Sequence, residues 1–152
     1  MHVMTQFSVF LINKPGVLAS VTGALAKAHV NLTALTLMDS LEHGVLRMVC
    51  QDADGAREVL GKTHDRWSET DVLVVELENR PGVFAQVAKK LADAHINISY
   101  AYVTGGAGDG KTTAVFKVAD LKKARKILAP EQRSKKDKKG ARTVRKTGKQ
   151  KG

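Results

Sequence analysis

The heptapeptide Asn13-Lys14-Pro15-Gly16-Val17-Leu18-Ala19 recurs 66 residues later as Asn79-Arg80-Pro81-Gly82-Val83-Phe84-Ala85. The echo continues: Leu25-Ala26-Lys27-Ala28-His29-Val30-Asn31-Leu32 answers Leu91-Ala92-Asp93-Ala94-His95-Ile96-Asn97-Ile98, and segments 13–32 and 79–98 agree at 11 of 20 positions. Chance does not produce that level of agreement, so the body of the chain is a tandem duplication. Its unit of organisation is one copy, and every local reading is checked against its twin.

Before each heptapeptide the side chains alternate. Phe7, Val9 and Leu11 stand on one face, with Ser8, Phe10 and Ile12 between them; Leu73, Val75 and Leu77 repeat the pattern with Glu76 and Glu78 opposite. A period of two predicts a strand. After Pro-Gly the period becomes helical, with Leu18, Val21, Leu25 and Ala28 on one stripe and Phe84, Val87, Leu91 and Ala94 on its twin. Pro15 and Pro81 suit a first helical turn, where a missing N–H costs nothing. A strand over 32–38, a turn through 40–44 and a strand over 45–50 follow. Next comes a short helix capped by Asp52 or Asp54, with Val59 and Leu60 inward and Gly61 at its end. Copy two predicts a strand over 98–103, a glycine-rich loop, a strand over 113–118, and a helix over 121–128 capped by Asp120.

The order is β-α-β-β-α-β, which packs two helices on one face of an antiparallel sheet. The expected fold class is therefore α+β: two ferredoxin-like βαββαβ repeats with antiparallel sheets, helices on one face, and a disordered basic C-terminal tail. The expected domains are 1–69, 70–130 and a tail at 131–152. The fourth strands are the weak point. The closing strand of copy one lies between His64 and Ser68 or shares the Thr70–Leu77 strand. Copy two has only Ala141 and Val144 as apolar residues after Pro130, so its last strand is expected to be weak or absent.

A hydrophobic strand followed by Asn-x-Pro-Gly-Val-[Leu/Phe]-Ala, an amphipathic helix, and Ala-His-[Val/Ile]-Asn-[Leu/Ile]-[Thr/Ser] resembles the ACT domain. Two copies in 152 residues resemble the small stand-alone tandem ACT proteins of bacteria. The resemblance covers roughly residues 5–128 and excludes the tail. It implies a regulatory module that binds small ligands, most often amino acids, at interfaces between paired domains.

The residues make physical sense of that role. Where the first strand meets the first helix, the N–H groups of Gly16, Val17 and Leu18 lie at the positive end of the helix and can hold an anion. Glycine at 16 allows a carboxylate close to the backbone. Asn13 and Asn31 offer donor and acceptor atoms without charge. The resemblance implies that Asn31, with Thr33 beside it, faces the same interface, and the equivalents in copy two are Asn79, Gly82, Val83, Phe84, Asn97 and Ser99. A purely structural reading stands beside this one: Asn13 and Asn79 as helix caps, Pro-Gly as a turn former, Asn31 and Asn97 as corner residues. Duplication does not separate the two readings, because a fold requirement is copied as faithfully as a site.

One motif misleads. Gly105-Gly106-Ala107-Gly108-Asp109-Gly110-Lys111-Thr112 fits the phosphate-binding pattern G-x-x-x-x-G-K-[ST]. That pattern works when the loop opens a helix, and here Thr113-Ala114-Val115-Phe116-Lys117-Val118 reads as a strand. The segment is therefore a hairpin loop, with no nucleotide expected. His29 and His95 sit at equivalent helix C-termini, where a cation or carbonyl partner is useful, and no metal-ligand spacing or catalytic constellation accompanies them. Cys50 closes an apolar strand as a core residue, and Trp67 is expected to pack where the copies meet. No cofactor, metal or catalytic residue is expected, so the chain reads as non-enzymatic.

Composition sharpens the rest. With 43% hydrophobic residues the chain can bury a core, and its single cysteine cannot form an internal disulfide. No apolar run approaches the roughly 20 residues that span a bilayer. The N-terminus does not resemble a signal peptide, and a cytoplasmic location without membrane contact is expected. The formal charge is +10, from 25 Lys+Arg against 15 Asp+Glu. Residues 133–152 hold ten of the basic residues and one acid, Asp137, leaving 15 against 14 in the body. The basic character therefore belongs to the tail, where Lys135, Lys136, Lys138, Lys139, Arg142, Arg145 and Lys146 are candidates for weak contact with phosphate backbones.

These readings converge on an amino-acid-binding sensor of amino-acid metabolism that forms a homodimer. The alternatives are a regulatory subunit of an amino-acid biosynthetic enzyme and a nucleic-acid-associated protein acting through the tail. A salt series separates the last: if the tail grips phosphates, binding to DNA or RNA weakens steeply with added salt and disappears from residues 1–130. Equal, salt-insensitive behaviour of the two chains removes that alternative.

Overall fold

The computed structural model describes residues 1–38, 43–63, 66–105 and 110–130. The first repeat contains β1 (His2–Ile12), α1 (Val17–Lys27), β2 (Leu32–Met38), β3 (His43–Cys50) and α2 (Ala53–Thr63). β4 (Trp67–Glu78) leads into α3 (Val83–Asp93), β5 (Ile98–Gly105), β6 (Lys111–Val118) and α4 (Leu121–Leu128). Six antiparallel strands form one sheet in the order β2-β3-β1-β4-β6-β5.

The closing strand of copy one is shared. β4 is a single strand of 12 residues whose first part, Trp67–Val74, pairs with β1 and whose last part, Leu73–Glu78, pairs with β6. β1 does the reciprocal job. Its N-terminal residues His2, Val3 and Met4 lie against Val74, Leu73 and Val72, along the edge that the fourth strand of copy two would occupy. Thr5 faces Asp71, and these two are 66 residues apart, the same offset as the repeats. That register sets a pseudo-twofold axis through the Thr5–Asp71 pair. Copy two therefore needs no strand after Pro130: the first strand of copy one closes its sheet. The tail, 131–152, lies outside the described residues.

Strand parity assigns the faces. Phe7, Val9, Leu11, Leu46, Met48 and Cys50 join Val21, Leu25, Ala56 and Leu60 in one core under α1 and α2. Leu73, Val75, Leu77, Ala114, Phe116 and Val118 join Leu91 and Ala124 in a second core under α3 and α4. All four helices thus cover the same face of the sheet. Trp67 packs in the first core, its ring 5.9 Å from that of Phe7, rather than at the junction of the copies.

The helix-free face curls on itself. β2 and β5 form opposite edges of the sheet yet touch each other, and Ala34, Val49, Val72, Val74 and Val115 make a third core between the two halves. Gln6 is buried at its heart. Its Nε2 donates to Tyr100 Oη at 2.7 Å, and Tyr102 Oη donates to its Oε1 at 2.9 Å. A buried amide with both ends satisfied fixes how the halves meet. Arg47 lies 4.1 Å above the Tyr100 ring, and burial pushes the Tyr102 hydroxyl to ionise above its ordinary range.

Both Pro-Gly segments are turns rather than first helical turns. Gly16 (φ 88°, ψ −16°) and Gly82 (φ 86°, ψ −16°) have the angles of the third residue of a type II turn, with proline before them. Val83 N–H donates to the Arg80 carbonyl at 3.4 Å, closing that turn, and α1 and α3 begin immediately after the glycines. The far ends are equally matched. His29 and His95 have φ 57° and 56°, the left-handed residue of a Schellman motif. Val30 N–H reaches Leu25 O at 3.0 Å and His29 N–H reaches Ala26 O at 3.0 Å; Ile96 to Leu91 and His95 to Ala92 repeat the pattern at 2.9 and 2.8 Å. The remaining helices are capped by side chains: Asp52 Oδ1 accepts from Gly55 N–H, and Asp120 Oδ1 accepts from Lys123 N–H, both at 2.9 Å. Gly61 lies inside α2, which continues to Thr63.

The duplicated histidines are thus explained by backbone conformation. A β-branched residue in the left-handed region is strained, whereas glycine is not. His29→Val should cost about 1–2 kcal/mol in urea unfolding, while His29→Gly should not lower the midpoint.

Candidate functional site

β1 delivers the chain to one end of the sheet, and the type II turn reverses it into α1. The α1 N-terminus has no side-chain cap, and neither has that of α3. The amides of the first helical turn have no partner from within the helix and sit at its positive end. In copy two the Val83 amide is drawn back to Arg80 by the turn.

A pocket of about 230 Å³ opens beside this turn in copy one. Leu11, Ile12, Asn13 and Lys14 form its β1 side, Val17 and Leu18 the first turn of α1, and Leu37, Met38 and Gly44 the β2–β3 side. A second depression of about 340 Å³ shares Leu11, Ile12 and Val17 and continues over Phe10, His43, Thr63 and Arg66. The shared rim is unusually apolar for surface: Ile12 is 58% exposed, Leu37 and Met38 48% each, and Phe10 42%. Among the described residues no salt bridge engages Lys14. Isolated apolar side chains at a surface are ordinary, but a cluster around a concavity marks a contact site.

Of the predicted residues, the structure brings Asn13, Val17 and Leu18 together on the pocket wall, with Gly16 in the turn between them. Asn31 and Thr33 are elsewhere. Asn31 precedes β2 and Thr33 is its second residue, at the opposite end of α1, a helix of 11 residues and thus about 16 Å long. Asn31 holds its corner through its carbonyl, which accepts from Gln51 N–H at 3.0 Å. Thr33 is the extra residue of a bulge between Leu32 and Ala34, and its hydroxyl is buried without a hydrogen-bond partner. Copy two repeats this: Asn97 O accepts from Ala119 N–H at 3.2 Å, and Ser99 is the exposed bulge residue between Ile98 and Tyr100. Gly82 and Val83 mirror the first turn. Phe84 replaces Leu18 and stacks on Phe116, ring centroids 5.2 Å apart. Asn79 N–H donates to the Gly110 carbonyl at 2.7 Å.

Lys14, Leu37 and Met38 escaped sequence reading. The signal was present, since two large apolar residues end a strand where alternation calls for a polar one. Lys111 and Thr112 of the phosphate-loop pattern lie in β6, with Thr112 paired to Gly105 of β5. The chain after the pattern continues as a strand rather than opening a helix, and residues 106–109 of the pattern lie outside the described residues. The candidate tail residues, from Lys135 to Lys146, lie outside the described residues. Among the described residues no group of three or more His, Cys, Asp or Glu side chains could hold a metal. None of the described helices is long and apolar enough to cross a membrane.

A paired α+β fold in which two βαββαβ units share strands, each with an uncapped helix after Pro-Gly, defines the class. The chain belongs to the ACT family: the sequence model of the ACT domain pair matches residues 1–141. Among solved structures, protein BT0572 from Bacteroides thetaiotaomicron is 33% identical, with a TM-score of 0.75 over 83% of this chain and 86% of that one. The regulatory subunits of aspartate kinase from Thermus thermophilus and Thermus flavus share the fold at 16% and 18% identity. Their TM-scores are 0.64 and 0.53, over 84% and 83% of this chain and 93% and 92% of theirs. No protein of curated function matches the chain.

Cys50 is buried beside Leu60 and Phe7 in the first core, and burial, with the Asp52 carboxylate adding to it, pushes its thiol up to about 11 from an ordinary 9.0. The unfolded thiol therefore loses its proton first as pH rises. The folded state should lose stability between about pH 9 and 11, and Cys50→Ala should lack that alkaline component in urea titrations run at each pH.

Proposed function

We propose that this ACT pair is a non-catalytic regulatory module that binds a free amino acid and passes its bound state to a protein partner. The observation that carries the reading is the pocket beside the first Pro-Gly turn. There the uncapped α1 N-terminus, Asn13 and Lys14 stand together against an apolar wall. The helix end and the ammonium of Lys14 suit a carboxylate, and the Asn13 amide carries both acceptor and donor atoms for the zwitterion. The same amides serve whichever amino acid binds, so identity is set by the apolar wall.

Asn31 and Thr33 stand about one helix length from Asn13. A site using both sets takes its second half from another domain, the β2 start of one packing against the turn of the other. That requirement favours a homodimer over a monomer. β2 and β5 are the end strands of the sheet, each paired on one side only among the described residues. An enzyme of amino-acid biosynthesis is the partner this reading favours, since the similar folds include subunits described as regulatory for aspartate kinase. The domain limits proposed remain 1–69 and 70–130, with strands exchanged between them, in a cytoplasmic protein.

Thermal-shift measurements across the amino acids should show one or a few ligands raising the midpoint by about 5 °C at a hundred times Kd. In calorimetry the double variant Asn13→Ala, Asn31→Ala should lose at least tenfold in affinity. If no amino acid stabilises the protein, the sensor reading fails; unchanged binding in the double variant rejects these two asparagines as ligand groups.

A further inference from the structure

The second helices of the two copies share a scaffold and differ in charge. Asp52 and Asp120 cap α2 and α4, and Ala56 and Ala124, four residues on, are both fully buried, so the two helices are twins at an offset of 68. Aligned in this way, Asp54, Gly55, Arg57 and Glu58 of α2 stand where α4 has Lys122, Lys123, Arg125 and Lys126. In the first copy the arginine is held by carboxylates: Arg57 Nε donates to Glu69 Oε1 at 2.6 Å, and its Nη1 pairs with Asp54. Glu58 is paired with Lys62. The second copy has none of these acids. Lys122 replaces Asp54, Lys126 replaces Glu58, and the pseudo-twofold axis puts Val3 in the place of Glu69. Arg125 therefore has neither partner of its twin. Among the described residues Lys122, Arg125 and Lys126 are exposed and enter no ion pair, while Lys123 Nζ donates to the Ala94 carbonyl at 2.7 Å.

We propose that the outer face of α4 is a docking surface for the phosphate backbone of a nucleic acid. At about 100° per residue its four cations fall within an arc of about 160°, and the arc holds no aromatic or aliphatic residue. The fold does not require them, since α2 takes two acids on the same scaffold. Helix electrostatics oppose them as well. Lys122 and Lys123 sit in the first turn, at the positive end, where an acid stabilises and a cation does not; α2 has Asp54 there. A protein interface is built around buried aromatic or apolar anchors and is poor in lysine, unlike this arc. A helix that binds a membrane surface lays its apolar side into lipid. Here that side is already engaged, with Leu121, Ala124 and Leu128 packed in the second core. What is left is a field of flexible point charges, which suits a row of phosphates gripped by charge and not read by base sequence. The chain also runs on from α4 into residues 133–152, with ten further basic residues and one acid, so the charge continues in sequence where the helix ends.

Fluorescence anisotropy of the full chain with a labelled random-sequence DNA duplex, over a salt series, tests this. Binding is expected, with log K falling linearly against log salt. The double variant Lys122→Asp, Lys126→Glu gives α4 the acids of α2. It should weaken binding about tenfold or more and lower the salt slope by about two. Its thermal midpoint should hold or rise, because an acid in the first turn suits the helix dipole and gives Arg125 a partner one turn away. Val3→Glu, which restores the counterpart of Glu69 and leaves α4 unaltered, should also weaken binding by engaging Arg125. A double variant that binds the duplex as the parent does assigns the affinity to the tail and overturns the proposal, as does a full chain with no salt-dependent binding. A midpoint that falls in the double variant, together with unchanged binding in Val3→Glu, makes the cations structural and overturns it too. Tighter binding to phosphatidylserine vesicles than to the duplex, lost in the same variants, replaces the nucleic acid with a membrane surface.

Discussion

The antiparallel pairing of β1 with β4 is the constraint on which the rest depends. Each repeat alone has too few strands: copy one ends before a fourth strand of its own, and copy two has only Ala141 and Val144 as apolar residues after Pro130 from which to build one. Pairing the two long strands about Thr5–Asp71 solves both shortages at once, because the N-terminal half of each strand closes the sheet of the other copy. One consequence is that neither copy can keep its sheet without the other. Another is parity. A twofold axis perpendicular to the sheet maps each face onto itself, so α1 to α4 must all lie on one side. The other face is left with Val49, Val72, Val74 and Val115 to cover, and the sheet can bury them only by curling.

Gln6 shows how that curl is made specific. An apolar interface between two half-sheets tolerates sliding, since dispersion and burial are not directional. A buried amide is different. Its two ends meet Tyr100 and Tyr102, so a slip of one residue would leave donor and acceptor unpaired in a dry site. The position is also asymmetric. The twin of Gln6 is Val72, on the same face and also fully buried, so the amide has no counterpart across the axis.

Much of the fold was legible in the sequence, because duplication gives every weak signal a second measurement. Strand, turn and helix assignments near Asn13 and Asn79 were secured by agreement between copies, and β2 and α4 fall at the predicted limits. What escaped was long-range. Nothing local distinguishes His2–Met4 as the fourth strand of the other copy, and the role of those residues follows only from the register with β4. His29 and His95 show a subtler limit. Their equivalence was visible, but the left-handed φ that explains it is a backbone property that histidine does not announce as glycine would. Within the candidate site, Asn13, Val17 and Leu18 were legible from the motif. Lys14, Leu37 and Met38 were not, because the pocket joins elements whose proximity depends on the β1–β3–β2 pairing.

The retained and the divergent positions of the repeat answer to different forces. Pro15, Gly16, His29 and Asn31 recur in copy two because each sets a backbone angle or corner on which the shared strands depend, and a change there would damage both copies together. Ile12 and Lys14 are under less constraint, since both are exposed at the pocket rim, while Leu18 lines the pocket and packs at the margin of the first core. In copy two the equivalents are Glu78 and Arg80, which pair with each other, and Phe84, which stacks on Phe116. A pseudo-symmetric scaffold is thus compatible with different side chains at its two turns, provided that those residues lie off the twofold axis and outside the shared strand pair. The ends of β1 and β4 beyond their mutual ladder meet both conditions. Position relative to the axis is what separates the residues the fold must keep from those that function can alter.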